Sequence, residues 1–148
     1  MVNLPQACIN PDNYAEHFYE HALRLKEMFE QLIVPLKQNR GINLTANCAD
    51  AKATAFRKES YDFHNIDVLL LEGIFLFKPA YRHHFDLSVW IDCSFEVALE
   101  RAIERRQEGL SPDETVRAFQ TIYFPAQRLH IERDQPRDHA DFLFHNQA

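Results

Sequence analysis

The sequence predicts an α/β fold, a parallel sheet flanked by helices, and three observations carry that expectation. Asp67-Val-Leu-Leu-Leu-Glu72-Gly73 is an apolar run without alternation that stops at an acid and a glycine, the pattern of an interior parallel strand buried on both faces. A second strand, Leu87 to Asp92, also ends in an acid and leads at once into a helix that Ser94 can cap. The latter half of the chain therefore reads strand, strand, helix, helix, strand, an order that packs as layers.

Taken in order, the first element is a helix between Pro11 and Arg40, where Phe18, Ala22, Leu25, Phe29, Leu32 and Leu36 recur three and four apart. Asn10 can cap it, with Pro11 in the first turn. Pro35 is expected to kink or end it near Val34, because an interior proline loses a backbone hydrogen bond at a cost of about 3 kcal/mol. Gly41 reads as the exit. From Ile42 to Phe63 the pattern shortens to alternating pieces, Ile42/Leu44/Ala46, Thr54/Phe56 and Tyr61/Phe63, which predict antiparallel strands or a hairpin.

The helix after Ser94 should run to about Glu108 on a stripe of Phe95, Ala98, Leu99, Ala102 and Ile103, with Gly109 as its stop. Ser111-Pro112-Asp113-Glu114 has the spacing of a capping box with proline at the first helical position. The helix it opens directs Val116, Phe119 and Tyr123 inward and meets Pro125. Ala140 to Phe144 is a short apolar strand at the C-terminal end. No repeat or linker interrupts the chain, so residues 1–148 are expected to form a single domain.

Composition narrows the function classes. With 46% hydrophobic and 12% aromatic residues, and only 3 Gly and 7 Pro in 148, the chain can build a core without a disulfide or metal staple. Sixteen Lys and Arg against 22 Asp and Glu leave a net charge of -6, which opposes general attraction to nucleic acid or anionic lipid, so any anion site must be local. Cys8, Cys48 and Cys93 are an odd number without a CxxC spacing, which fits a reducing compartment. No run approaches 18 apolar residues and no signal-peptide pattern opens the sequence, so a soluble cytoplasmic chain is expected.

Few residues carry a chemical signal. Ligands of open α/β sheets gather at the carboxyl ends of strands, where the acid Glu72 could meet Mg²⁺ or a substrate hydroxyl; alternatively Glu72 merely ends a strand at the surface. Arg101 and Arg105 are four apart and share a helix face, with Arg106 beside them. Guanidinium forks suit phosphate, although the same residues could pair with Glu100, Glu104 or Glu108 on a solvated face. His17 and His21 share a face but lack an HExxH pattern and a third ligand, and His83 and His84 sit in a polar connection, so no metal site is expected. No GxGxxG, GxSxG or GxxxxGK[ST] is present.

From Asp67 onward the sequence resembles the uridine kinase and phosphoribulokinase family of P-loop kinases, through DVLLLEGIFLF, FDLSVWIDCSFEVALERAIERR, IYFPAQ and HADFLF in that order. HFYEHALRLKEMFEQLIVPL looks like the segment that follows the phosphate loop in relatives. The resemblance implies a P-loop kinase-like sheet that is incomplete here, because the first strand with its phosphate loop and the strand ending in the catalytic acid have no counterpart. It implies ATP and Mg²⁺ as cofactors, a nucleoside or small sugar-like acceptor, Glu72 beside the metal and acceptor hydroxyl, and Arg105 as the lid arginine, with Arg101 and Arg106 as further phosphate contacts. Ala102 stands where relatives often carry another arginine, and RRQEGLSP replaces their ERGR turn. Without the loop, the chain alone is expected to be inactive. Strand edges that the first strand would have covered offer a route to homo-oligomers, or to a catalytically dead binding subunit.

Overall fold

The computed structural model describes residues 13–49, 56–106 and 109–147, and only the backbone of residues 48, 49 and 56. Asn10, Pro11, Thr54 and Glu108, named above, lie outside the described residues. The chain forms two compact units, one holding residues 20–76 and the other residues 13–19 and 77–147.

In the first unit, α2 (Leu25–Met28) and α3 (Val34–Asn39) are joined by a π turn, Phe29–Ile33, in which the Val34 N–H reaches back to the Phe29 carbonyl. The irregularity expected near Val34 takes the form of this π turn rather than an end to the helix. The wider ring of the π turn draws the preceding carbonyls away from the pyrrolidine, so the helix continues to Asn39. Leu25, Phe29, Ile33 and Leu36 are buried along one side, as their spacing requires. Arg40 ends the helix in the left-handed conformation, φ 56°, with its N–H on the Leu36 carbonyl at 2.8 Å.

The expected hairpin follows. β1 (Ile42–Ala49) and β2 (Phe56–Phe63) pair antiparallel, with Ile42 opposite Phe63 and Thr45 opposite Ser60. Ile42, Leu44 and Ala46 are half-buried while Asn43, Thr45 and Asn47 face solvent, the alternation read from sequence. Gly41 is required by proximity, since a Cβ there would lie 2.8 Å from the Phe63 carbonyl oxygen. The base of the hairpin is closed by the Ile66 N–H on the Arg40 carbonyl at 2.8 Å and by an ion pair between Arg40 and Asp67.

The run from Asp67 to Leu71 corrects an expectation. It joins no ladder among the described residues, and Val68, Leu69 and Leu70 are 83%, 43% and 88% exposed. Apolar content alone does not make a strand, because a parallel strand exists only through hydrogen bonds to a neighbour.

In the second unit, β3 (Val89–Asp92) pairs parallel with β4 (Phe142–His145), Val89 opposite Phe142 and Asp92 opposite His145. Among the described residues the parallel sheet has these two strands. Its register is pinned by Asp141 Oδ2, which accepts from the Ser88 N–H at 2.8 Å and from its hydroxyl at 2.7 Å. Ser94 caps α4 (Phe95–Arg105) by accepting the Val97 N–H at 3.2 Å. The helix stops at Arg105, short of Glu108, because Arg106 turns left-handed, φ 48°, and returns its N–H to the Ala102 carbonyl.

The capping box forms as read: Ser111 and Glu114 bond reciprocally at the start of α5 (Pro112–Ala118). A second π turn, Phe119–Tyr123, carries the helix through Pro125 into α6 (Phe124–Asp134), and a single turn, α7 (Pro136–His139), leads to β4. Phe95 stacks on Phe124 at 4.4 Å, and Ala102, Thr115 and Ala126 lie buried in this unit. It also holds α1 (Tyr14–His21) as far as Tyr19, and the Phe18 ring of that helix meets Tyr123 at 5.0 Å.

Candidate functional site

Glu72 lies in the first unit, at the end of the extended apolar run. With Leu23, Arg24, Leu25, Met28, Leu71, Gly73 and Leu76 it lines a cleft of ≈ 190 Å³, and it is exposed. Apolar side chains form most of the wall, and Glu72 and Arg24 are its charged members, with Arg24 already paired to Glu27. Three residues on, Phe75 holds φ 58° while 2% exposed. A left-handed aromatic residue costs of order 1–3 kcal/mol, so the turn after Gly73 is fixed by burial of that ring rather than by backbone preference. A carboxylate on a fixed turn beside an apolar cleft can meet a hard cation or a hydroxyl.

The arginines lie in the second unit, Arg101 and Arg105 on α4 and Arg106 at its end. Arg101 turns to the carboxyl ends of the two parallel strands, its Nη1 3.8 Å from Cys93 Sγ and its Nη2 3.3 Å from Asn146 Oδ1. Arg105 is exposed and donates from Nε to the Arg101 carbonyl at 3.3 Å, while Arg106 forms the helix terminus. Asp92, at the end of β3, is held by His145 Nδ1 at 3.2 Å and by Arg137 at 3.8 Å.

The chain is similar in fold to a solved structure described as a possible uridine kinase from Bacillus stearothermophilus. The similarity has a TM-score of 0.67 at 20% identity and covers 97% of this chain and 67% of that chain. The fold is kinase-like. No protein-family model matches the chain. Among the described residues no helix is long and apolar enough to cross a membrane, and no three His, Cys, Asp or Glu side chains gather as a metal site.

Sequence reasoning passed over a buried polar cluster in the second unit. The Tyr19 hydroxyl donates to Asp134 Oδ2 at 2.7 Å, and His130 Nδ1 lies 2.6 Å from the same oxygen. Burial holds the His130 imidazole below its ordinary pKa of 6.5, Lys78 and Arg82 push the same way, and the hydrogen bond and charge of Asp134 oppose them. Ala126, His130 and Asp134 stand at successive four-residue steps of α6, so a buried alanine in line with a histidine and an aspartate was the available signal. The exposed carboxylates with perturbed protonation have simpler causes. Hydrogen bonds from Arg133 hold Glu16 low, those of Ser111 hold Glu114 low, and those of Ser88 hold Asp141 low.

Proposed function

We propose that the chain is the acceptor-side and lid portion of a uridine kinase-like phosphotransferase, in which the γ-phosphoryl group of ATP passes to a hydroxyl of a nucleoside or small sugar-like metabolite. The single observation that carries this is the kinase-like fold over 97% of the chain, with Glu72-Gly73 set beside a cleft. Glu72 assists the metal or the acceptor hydroxyl, and Arg105 and Arg106 neutralise phosphate charge, a role Arg101 shares only after leaving Cys93 and Asn146. One carboxylate suits Mg²⁺, which keeps several waters and is shared with substrate phosphates. The phosphates themselves are not provided for, since the 148 residues contain no GxxxxGK[ST] and phosphoryl transfer depends on positioning and charge stabilisation. These residues alone therefore do not turn over ATP. A cytoplasmic setting accords with three cysteines lacking a disulfide or CxxC pattern.

Two measurements test this. Calorimetry of the purified 148-residue chain with ATP and Mg²⁺, against a GTP control, should give no heat of micromolar binding; a micromolar site would require a different phosphate cradle. In the natural polypeptide that carries these residues, Glu72→Gln and Arg105→Ala should each lower kcat for phosphoryl transfer by about 10²-fold. Unchanged transfer in both variants overturns the assignment.

A second reading, a binding subunit that assembles through strand edges, is favoured by the exposed apolar strand residues. Val89, Ile91, Phe142 and Phe144 are 53%, 58%, 58% and 58% exposed on a two-stranded parallel sheet, an architecture ordinarily covered on both faces. Size-exclusion chromatography with light scattering decides it, a soluble monomer counting against assembly.

A further inference from the structure

The chain leaves its second unit directly after Tyr19 and returns to it at Phe77. The residues at these two crossings are tied to each other. Lys78 Nζ donates to the Tyr19 carbonyl at 2.8 Å, and the same ammonium lies 3.8 Å from the centroid of the Tyr19 ring. The Tyr19 hydroxyl continues the chain of contacts to Asp134 and, through the shared Oδ2, to His130. Tyr19, His130 and Asp134 are only 6%, 4% and 6% exposed, and all of these contacts lie inside the second unit.

We propose that this cluster is a pH-sensitive clasp inside the second unit, holding residues 14–19 to the segment that begins at Phe77, locked while His130 is neutral and loosened when His130 takes a proton. Burial, which disfavours the charged imidazole, sets the sense of the switch, and the charges that face it divide. Lys78 and Arg82, both from the segment after the second crossing, are the cations acting on His130, and Asp134 on α6 is the anion. Arg133, also on α6, lies 5.6 Å over the Tyr19 ring but is bound to Glu16 of α1 at 2.5 Å. β3 contributes the uncharged Trp90 ring, 6.5 Å from the imidazole.

With His130 neutral, one carboxylate faces two cations. Protonation adds a third positive charge at a buried imidazole, with Lys78 and Arg82 themselves half-buried, where like charges repel more strongly than at the surface. Arg82 cannot absorb the change through a spare acceptor, because its buried Nη2 has no hydrogen-bond partner among the described residues. The mobile member is Lys78, whose flexible stem carries the tie between the crossings. Repulsion therefore acts on the Lys78–Tyr19 contact, and acid opens it.

Hydrogen exchange of the full chain, corrected for intrinsic pH dependence, tests the clasp between about pH 8 and about pH 5. The amides of residues 14–21 and 77–85 should lose protection about tenfold or more at the acid end, while β1 and β2 do not follow. His130→Gln, whose amide can still donate to Asp134 but does not titrate, should abolish that pH dependence. Equal pH dependence in the parent and the variant overturns the proposal. Should His130→Gln fail to fold, Lys78→Met with ring-labelled histidine and NMR titration gives an independent reading. Removal of the ammonium should raise the His130 midpoint toward its ordinary value, and an unmoved midpoint refutes the coupling.

Discussion

Phe29→Ala probes whether the two units stand on separate cores. Phe29 is 2% exposed at the first position of the π turn, one turn from Leu25 and from Ile33, both buried. An aromatic side chain buries about 150–250 Å², which at about 25 cal/mol per Å² corresponds to about 4–6 kcal/mol as an upper bound. Measured Phe→Ala truncations in cores cost about 3–5 kcal/mol, and the lower end applies if neighbouring side chains close into the gap. Such a loss is comparable to the whole stability of a small folding unit, about 5–15 kcal/mol. Because Phe29 belongs to the unit of residues 20–76, the damage should be local to it. Hydrogen exchange read by segment should show residues 25–39 and the hairpin losing protection while α6, β3 and β4 keep theirs. Equal loss in both units, or a change below about 1 kcal/mol, would refute the reasoning.

Two further perturbations address the second unit. Arg101→Ala should cost about 0.5–1.5 kcal/mol and speed exchange at β4, because Arg101 ties Cys93 to Asn146 just beyond that strand, whereas Arg105→Ala should leave β4 exchange unchanged. Asp141 supplies a pH dependence: Ser88 holds its carboxyl below the ordinary 3.8, so the folded chain binds that proton less readily than the unfolded chain. Its stabilisation is complete above the unfolded value and is lost as pH falls through the lower folded one, a component of acid unfolding that Asp141→Asn should remove from the Tm-versus-pH curve below about pH 4.

Much of the fold was legible because its signals are local. The capping box at Ser111 and Glu114, the Ser94 cap and the alternation of Ile42, Leu44 and Ala46 each depend on neighbours within a few residues, and each formed as read. The segment from Asp67 to Leu71 was misread because strand formation depends on a partner that its own residues do not encode. Pro35 was read as a kink or an end, yet a helix can absorb a proline by widening one ring, as it does before Pro35 and again before Pro125. At the candidate site, Glu72 stood out by its place before Gly73, and the cleft beside it needed residues 23–28, far away in sequence. The Tyr19–Asp134 contact spans 115 positions, which no periodicity reveals. Helix spacing likewise does not say that Arg101 reaches Cys93 and Asn146.

The two π turns link chain length to residue identity. Each encloses one residue more than an ordinary helical ring, Val34 reaching Phe29 and Phe124 reaching Phe119, and each stands immediately upstream of a proline-bearing helix. A single-residue deletion within Phe29–Ile33 would restore the ordinary ring and, in doing so, press the carbonyl four positions before Pro35 against the pyrrolidine. Deletion and proline are thus mutually exclusive at both places. Shortened forms of this helix should survive only where Pro35 has been replaced as well, and the same pairing should govern any change of length within Phe119–Tyr123 and the residue at Pro125.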